Sequence, residues 1–282
     1  MNSGGAGPGF EPGVRLASRA VVGMRVDATS YDDASERIVR WASKRRSSYV
    51  CVANVHMAME TVDAPEFRFM VSEADLVTPD GRPLVWALRL LGVKEATQVR
   101  GTDLVVEVAG LAAKKGVPVG LYGSTPEVLG ELTEELKRRF PGLEIACEVS
   151  PPFRELTAKE DEDLTRQVAD SGARILLVGL GCPKQERWMA AHRGRIPAVM
   201  IGVGAAFEFY TGRIPQAPRW MQSAGLEWVY RLYREPRRLW RRYARHNPRF
   251  AVLLALQLVV KYGRFGKKRL DKNRDEKEGT RG

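Results

Sequence analysis

Arg174-Ile175-Leu176-Leu177-Val178-Gly179-Leu180-Gly181-Cys182-Pro183-Lys184-Gln185-Glu186-Arg187-Trp188 carries the pattern that decides the fold class. Its first half is a continuous apolar run with a β-branched share, as in a strand buried on both faces of a parallel sheet. Gly179 and Gly181 then permit a tight turn, and Pro183 suits the first position of a helix that continues through Trp188 and Met189. The first N–H groups of a helix have no intrahelical partner, so strand, glycine turn and helix start together make a ready anion site. Lys184 adds a cation, and Gln185 an amide that both donates and accepts. On this stretch alone two readings stand: a tight strand-to-helix connection, or a seat for the diphosphate of a nucleotide-activated substrate.

The same alternation runs outward. Val21 to Val26, Tyr49 to Asn54, Asp75 to Thr78, Val117 to Tyr122, Leu143 to Val149 and Ala198 to Val203 read as strands. Between them, helical spacing covers Asp32 to Ser43, Pro65 to Ser72, Leu84 to Leu91, Leu104 to Lys115 and the stretch from Pro126 to Arg139. Thr102 or Asp103 is an expected N-cap, and Thr157-Ala158-Lys159-Glu160 reads as a capping box. Strands and helices recur at the spacing of βαβ crossovers, so the core is expected to be α/β with a mainly parallel sheet. Ligands in such folds bind beyond the carboxyl ends of the strands. Asn54, Asp80, Gly123 and the Gly179 to Gln185 turn all follow strands directly and are placed to share one crevice. His56 reads as a helix-start or surface histidine.

Composition narrows the partners. The chain has 282 residues and a formal charge of +11, which favours nucleic acid, anionic lipid or a phosphorylated substrate. Cys51, Cys147 and Cys182 stand far apart without metal-ligand spacing, as expected of free thiols in a reducing compartment. The first residues lack the basic and apolar regions of a signal peptide, and no run reaches the ~18 apolar residues of a membrane span. A cytoplasmic protein at a membrane surface is expected. Four segments follow: a disordered N-terminus (1–15), an α/β domain (16–224), a basic amphipathic membrane-associating helical segment (225–263) and a charged disordered tail (264–282).

The third segment carries the charge. Arg231, Arg234, Arg238, Arg241 and Arg245 recur at helical spacing, which lines one face with cation, and Pro236 is expected to separate two helices. Residues 231–249 hold eight arginines against one acid, Glu235, too one-sided for an ordinary solvated face. No recognised nucleic-acid module accompanies them. Attachment to an anionic leaflet fits best, since each basic residue there is worth roughly 1 kcal/mol and the interleaved Trp and Tyr suit the interface. The same exposed surface is open to self-association.

For chemistry, Asp80 in Pro79-Asp80-Gly81 is the candidate general base, against the common reading of a turn aspartate satisfying its own backbone. A dinucleotide fingerprint fails, because Lys184 and Gln185 stand where a third glycine is needed. The only Asp-x-Asp triplet, at Asp161 to Asp163, falls inside an amphipathic helix, and no pair of histidines has ligand spacing. Neither a metal nor another cofactor is expected in the site.

Ala74-Asp75-Leu76-Val77-Thr78-Pro79-Asp80-Gly81, Gly179 to Glu186, Gly202-Val203-Gly204-Ala205-Ala206-Phe207-Glu208-Phe209 and Arg213 to Gln222 with its continuation to Leu232 resemble motifs of the WecG/TagA/CpsF glycosyltransferases, in order, over about residues 20–245. The resemblance implies a Rossmann-like fold in a bacterial enzyme at the inner membrane leaflet. It implies inverting, metal-independent transfer of a hexosamine, typically N-acetylmannosamine, from a UDP-sugar to an undecaprenyl-diphosphate-linked sugar. It places the catalytic aspartate on Asp80, the strand-end asparagine on Asn54 and the family glutamine on Gln185, and it puts arginines of the C-terminal segment (Arg231, Arg234, Arg238) in the active site. The chain departs from the family at Val52-Ala53-Asn54, where members carry Thr-x-Asn, and at Gln98-Val99-Arg100-Gly101, where they carry Arg-Val-x-Gly. Arg100, shifted by two beside Gly101, or the C-terminal arginines then contact phosphate. Gly179, Gly181, Lys184 and Glu186 complete the expected donor site. The alternative is a non-enzymatic protein using the arginine face on a membrane or nucleic acid.

Overall fold

The computed structural model describes the backbone of residues 16–278 and the side chains of residues 16–263 apart from Arg219 and Ser223. The expected disorder of residues 1–15 falls outside the described residues. The chain opens with β1 (Ser18–Val21) and β2 (Met24–Asp27), then α1 (Tyr31–Ser43), β3 (Ser48–Ala53), α2 (Val55–Asp63), α3 (Pro65–Ser72), β4 (Leu76–Pro79) and α4 (Arg82–Leu90). Next come α5 (Gly101–Lys115), β5 (Val119–Gly123), α6 (Pro126–Arg139), β6 (Ile145–Val149), α7 (Ala158–Asp170), β7 (Ile175–Gly179), α8 (Lys184–His192) and β8 (Val199–Gly202). Four helices finish it: α9 (Ala206–Tyr210), α10 (Arg219–Ser223), α11 (Glu227–Arg234) and α12 (Pro236–Glu278).

Six strands form one sheet in the order β4-β3-β8-β7-β5-β6, every pair parallel. The strand side chains alternate between two cores, as the period of two requires. Ile175 and Leu177 join Ile38 of α1, Leu104 of α5 and Leu132 of α6 on one face. Leu176 and Val178 join Met57 of α2, Phe67 of α3, Leu84 of α4 and Met189 of α8 on the other. The α/β core with a parallel sheet expected from the alternation of strands and helices, and Rossmann-like as the resemblance implied, is therefore the one observed. The chain leaves β3 toward β4 on one side and runs from β5 to β6 on the other. This reversal opens a crevice beyond the carboxyl ends of β4, β3 and β8.

Four local expectations are corrected. Val21 to Val26 is not one strand but the hairpin β1-β2, because Val22 (φ 51°) and Gly23 (φ 85°) take the left-handed conformations of a two-residue turn. Thr102 and Asp103 lie in the first turn of α5, whose cap residue is Arg100. Pro183 is the cap of α8 rather than its first residue. The backbone of α12 runs through 264–278, where a disordered tail was expected; the stretch is rich in good helix formers and free of proline. Residues 279–282 lie outside the described residues. The capping box at Thr157 and Glu160 and the break at Pro236 are as expected.

The long helix α12 is fastened to the body. Phe250 is buried in the core beside α2, and Arg249 pairs with Asp63 at 2.5 Å. The Gln257 amide accepts from Val22 N–H (2.9 Å) and donates to the Ala20 carbonyl (2.6 Å), while Lys261 Nζ donates to the Leu91 carbonyl (2.6 Å). No helix of the described residues is long and apolar enough to cross a membrane.

Candidate active site

The crevice is a cavity of about 720 Å³, floored by the strand ends and walled by α4, the start of α5, and the helices α11 and α12. Asp80 follows β4, its N–H extending the parallel ladder to the Ala53 carbonyl at 2.8 Å. It does not cap its own turn. Its Oδ1 accepts the Gly101 N–H at 3.1 Å, so the carboxylate sits at the N-terminus of α5. Burial, and then the negative charge of Glu227, push its pKa up to about 7; the Gly101 hydrogen bond, Arg100 and Arg231 pull the other way. A carboxylate poised there suits general-base work near neutral pH.

Asn54 lies at the end of β3, where its side chain caps α2 by accepting from Met57 N–H at 3.2 Å, and it borders the same cavity. Gln185 is buried and fully engaged. Its Oε1 accepts both Gly181 N–H (3.1 Å) and Gly204 N–H (3.0 Å), and its Nε2 donates to Glu186 Oε1 (2.7 Å). One side chain thus ties together the loops after β7 and β8, which form part of the cavity wall. Glu186 itself is wholly buried behind that wall, and burial pushes its pKa up to about 7. Its role is to hold the Gln185 amide, not to meet the cavity.

Gly179 also stays outside the cavity. A Cβ there would meet the Phe207 ring at 2.7 Å, so this glycine serves close packing. Gly181 (φ 78°) borders the cavity and needs its glycine for the left-handed turn. Lys184 is exposed and Arg234 points to solvent; neither lines the cavity.

Arg100 borders the cavity but already has partners in Asp103 (3.1 Å), Thr102 (3.2 Å) and Gln222, with Glu227 at 3.9 Å. Arg231 lies over the Phe209 ring at 5.3 Å, and with Arg238 it faces the cavity. Arg82 and Arg242 face it too. The sequence reading passed over Gln222 and Glu227 as contacts, although both lie in stretches it quoted. Arg242 was legible, standing four residues after Arg238 and so on the same helical face. A cavity with five arginines around two acids, Asp80 and Glu227, favours an anionic ligand.

The sequence profile described as the glycosyl transferase WecG/TagA/CpsF family matches residues 19–264. The chain is similar to the N-acetylglucosaminyldiphosphoundecaprenol N-acetyl-beta-D-mannosaminyltransferase of Bacillus spizizenii (strain ATCC 23059 / NRRL B-14472 / W23), 30% identical over 218 residues that span 77% of this chain and 82% of that protein. It is 27% identical over 215 residues to the Bacillus subtilis (strain 168) protein of the same name, across 76% of this chain and 81% of that one. The match runs through the strands, the aspartate, the glutamine loop and most of the arginine helices, and with it the non-enzymatic alternative falls away: the chain is an enzyme belonging to the WecG/TagA/CpsF family of glycosyltransferases.

Proposed function

We propose that the protein transfers N-acetylmannosamine, or a closely related hexosamine, from a UDP-sugar to a sugar carried on polyprenyl diphosphate, with inversion at the anomeric carbon. The observation that carries this reading is Asp80, a carboxylate whose pKa burial raises to about 7, in a cavity that five arginines line. The acceptor hydroxyl gives its proton to Asp80 as its oxygen attacks the anomeric carbon. The bond from that carbon to the UDP oxygen breaks on the opposite face, and UDP leaves with the electron pair. Arg231, Arg238 and Arg242 are placed to stabilise the departing diphosphate, with the Gly181 and Gly204 loops held by Gln185 shaping its seat. That cationic wall takes the part a divalent ion plays in other transferases, so transfer is expected without added Mg²⁺ or Mn²⁺. The relatives' names support the transferred sugar, N-acetylmannosamine, and the lipid-diphosphate acceptor class.

The body is proposed to sit on the cytoplasmic leaflet. Arg237, Arg241 and Arg245 on α12 are exposed, and Trp240, Val252, Leu256, Val259 and Tyr262 of the same helix show apolar surface. A screen of UDP-hexosamines with a short-chain polyprenyl-diphosphate-linked sugar tests the reading. Transfer from UDP-N-acetylmannosamine, with an inverted linkage by NMR, is the expected result. No transfer from any UDP-hexosamine would overturn it.

A further inference from the structure

We propose that His56, Glu60 and His246 form a binding site for a transition-metal dication of the zinc class, which fastens helix α12 to helix α2. His56 and Glu60 stand one turn apart on α2 and therefore on one face. His246 reaches them from α12, and one ligand atom from each lies within 4.8 Å of the others. Among the described residues no other group of three or more His, Cys, Asp or Glu side chains gathers in this way.

The nitrogens are in the state a metal requires. His56 Nδ1 and His246 Nδ1 are buried and have no hydrogen-bond partner, and His246 is only 7% exposed. Unpartnered buried nitrogens are costly, and such groups mark sites built for something else. His56 Nδ1 is the ring nitrogen turned toward Glu60, and with the proton on Nε2 its lone pair is free for a metal. That lone pair faces Glu60 Oε1 at 3.6 Å, two electron-rich atoms that gain from a cation between them. A tetrahedral ion with bonds of about 2 Å sets its ligands roughly 3.3 Å apart, so ligand atoms within 4.8 Å of one another have at most about 1.5 Å to close.

The neighbouring charges set the ion's class. Arg242 and Arg245 both face the cluster from α12, Arg245 also pairing with Asp63 at 3.6 Å, while Arg249 pairs with Asp63 at 2.5 Å. A hard oxygen-seeking ion such as Mg²⁺ gains little from two imidazoles and would not overcome that repulsion; Zn²⁺, Co²⁺ or Ni²⁺ gains much. His56 and His246 also border the cavity, which leaves a fourth position for water. The site requires no part in the transfer step, so its test is independent of the function proposed above.

The experiment uses the untagged full chain, stripped with chelator, desalted and titrated with Co²⁺. The expected result is one equivalent bound with visible d–d absorption of a four- or five-coordinate ion, displaced by Zn²⁺ and not by Mg²⁺. H246A and, separately, E60Q should lower affinity more than about 100-fold, beyond what loss of a ligand's own hydrogen-bond partner costs. H246N serves if the alanine variant does not fold by circular dichroism. Zn²⁺ should raise the thermal midpoint of the parent and leave that of the His246 variants unmoved. Absence of saturable 1:1 binding, or binding undiminished in the His246 and Glu60 variants, would overturn the proposal.

Discussion

The Asp80 carboxylate and the Gly101 amide, 21 residues apart in sequence, meet across 3.1 Å. The carboxylate is thereby held by the first residue of α5, so one of its oxygens is anchored on the backbone while the group faces the cavity. Asparagine in place of Asp80 keeps an oxygen for Gly101 but cannot take a proton. Asp80→Asn is expected to lower kcat by about 10²–10⁴-fold with little change in donor KM and an unchanged circular dichroism spectrum. A variant with near-parental turnover would remove Asp80 from the role of base.

The pH profile follows from the same group. As the proposed base Asp80 would act when ionised, and its pKa is raised to about 7, so kcat/KM should fall as pH drops through neutrality. Glu227 contributes to the rise by its negative charge. Removing that charge in Glu227→Gln lowers the pKa, and the acidic limb should move to lower pH; Arg231→Gln should move it upward. A limb that stays in place in both variants would assign it to another group.

Gln185 holds two backbone N–H groups and one buried carboxylate. Gln185→Ala strands all three, at about 1–3 kcal/mol for each group that finds no water. Urea unfolding should show the loss, together with a raised donor KM as the Gly181 and Gly204 loops part. Unchanged stability would mean that the two loops do not depend on this side chain.

At Gly179 the issue is room. Gly179→Ala drives a methyl against the Phe207 ring, where the contact would be 2.7 Å. The expected cost is about 1–3 kcal/mol in stability, with activity falling only in proportion to folded protein. Loss of activity in a fully folded variant would instead place Gly179 in direct contact with substrate.

Exposed arginines of α12 carry the membrane prediction. Reversing Arg237 and Arg241 to Glu should sharply weaken flotation with anionic liposomes while leaving the fold intact, and raising salt should weaken binding of the parent. Equal flotation of parent and variant would defeat the assignment of this face to the leaflet.

The fold was legible because it rests on periodicity. The apolar run at Ile175 to Val178 has to be buried on both faces, and a two-faced strand followed by a glycine turn and a helix has few architectures available. The site was legible only in part. Asp80 showed itself by following a strand, but its partner Gly101 is supplied by another segment, and no local spacing reveals it. Glu186 shares a motif with Gln185 and was grouped with it. Successive helix positions point in different directions, so one borders the cavity and the other is sealed behind it. His56 and His246 carry no ligand spacing because the helices that bring them together are distant in the chain. Arg100 kept its place beside the cavity, yet its engagement with Asp103 and Gln222 depends on where α10 lands.

The clamp between Gln257 and Val22 joins residues 235 positions apart. On the ribosome the β1-β2 hairpin and the sheet emerge long before α12, and segments made first fold first. Until α12 arrives, the surface that receives Phe250 stays bare and the cavity lacks the wall that carries Arg238 and Arg242. A chain that stops short of this helix would leave that apolar surface open to other contacts, and the cavity is completed only when α12 docks.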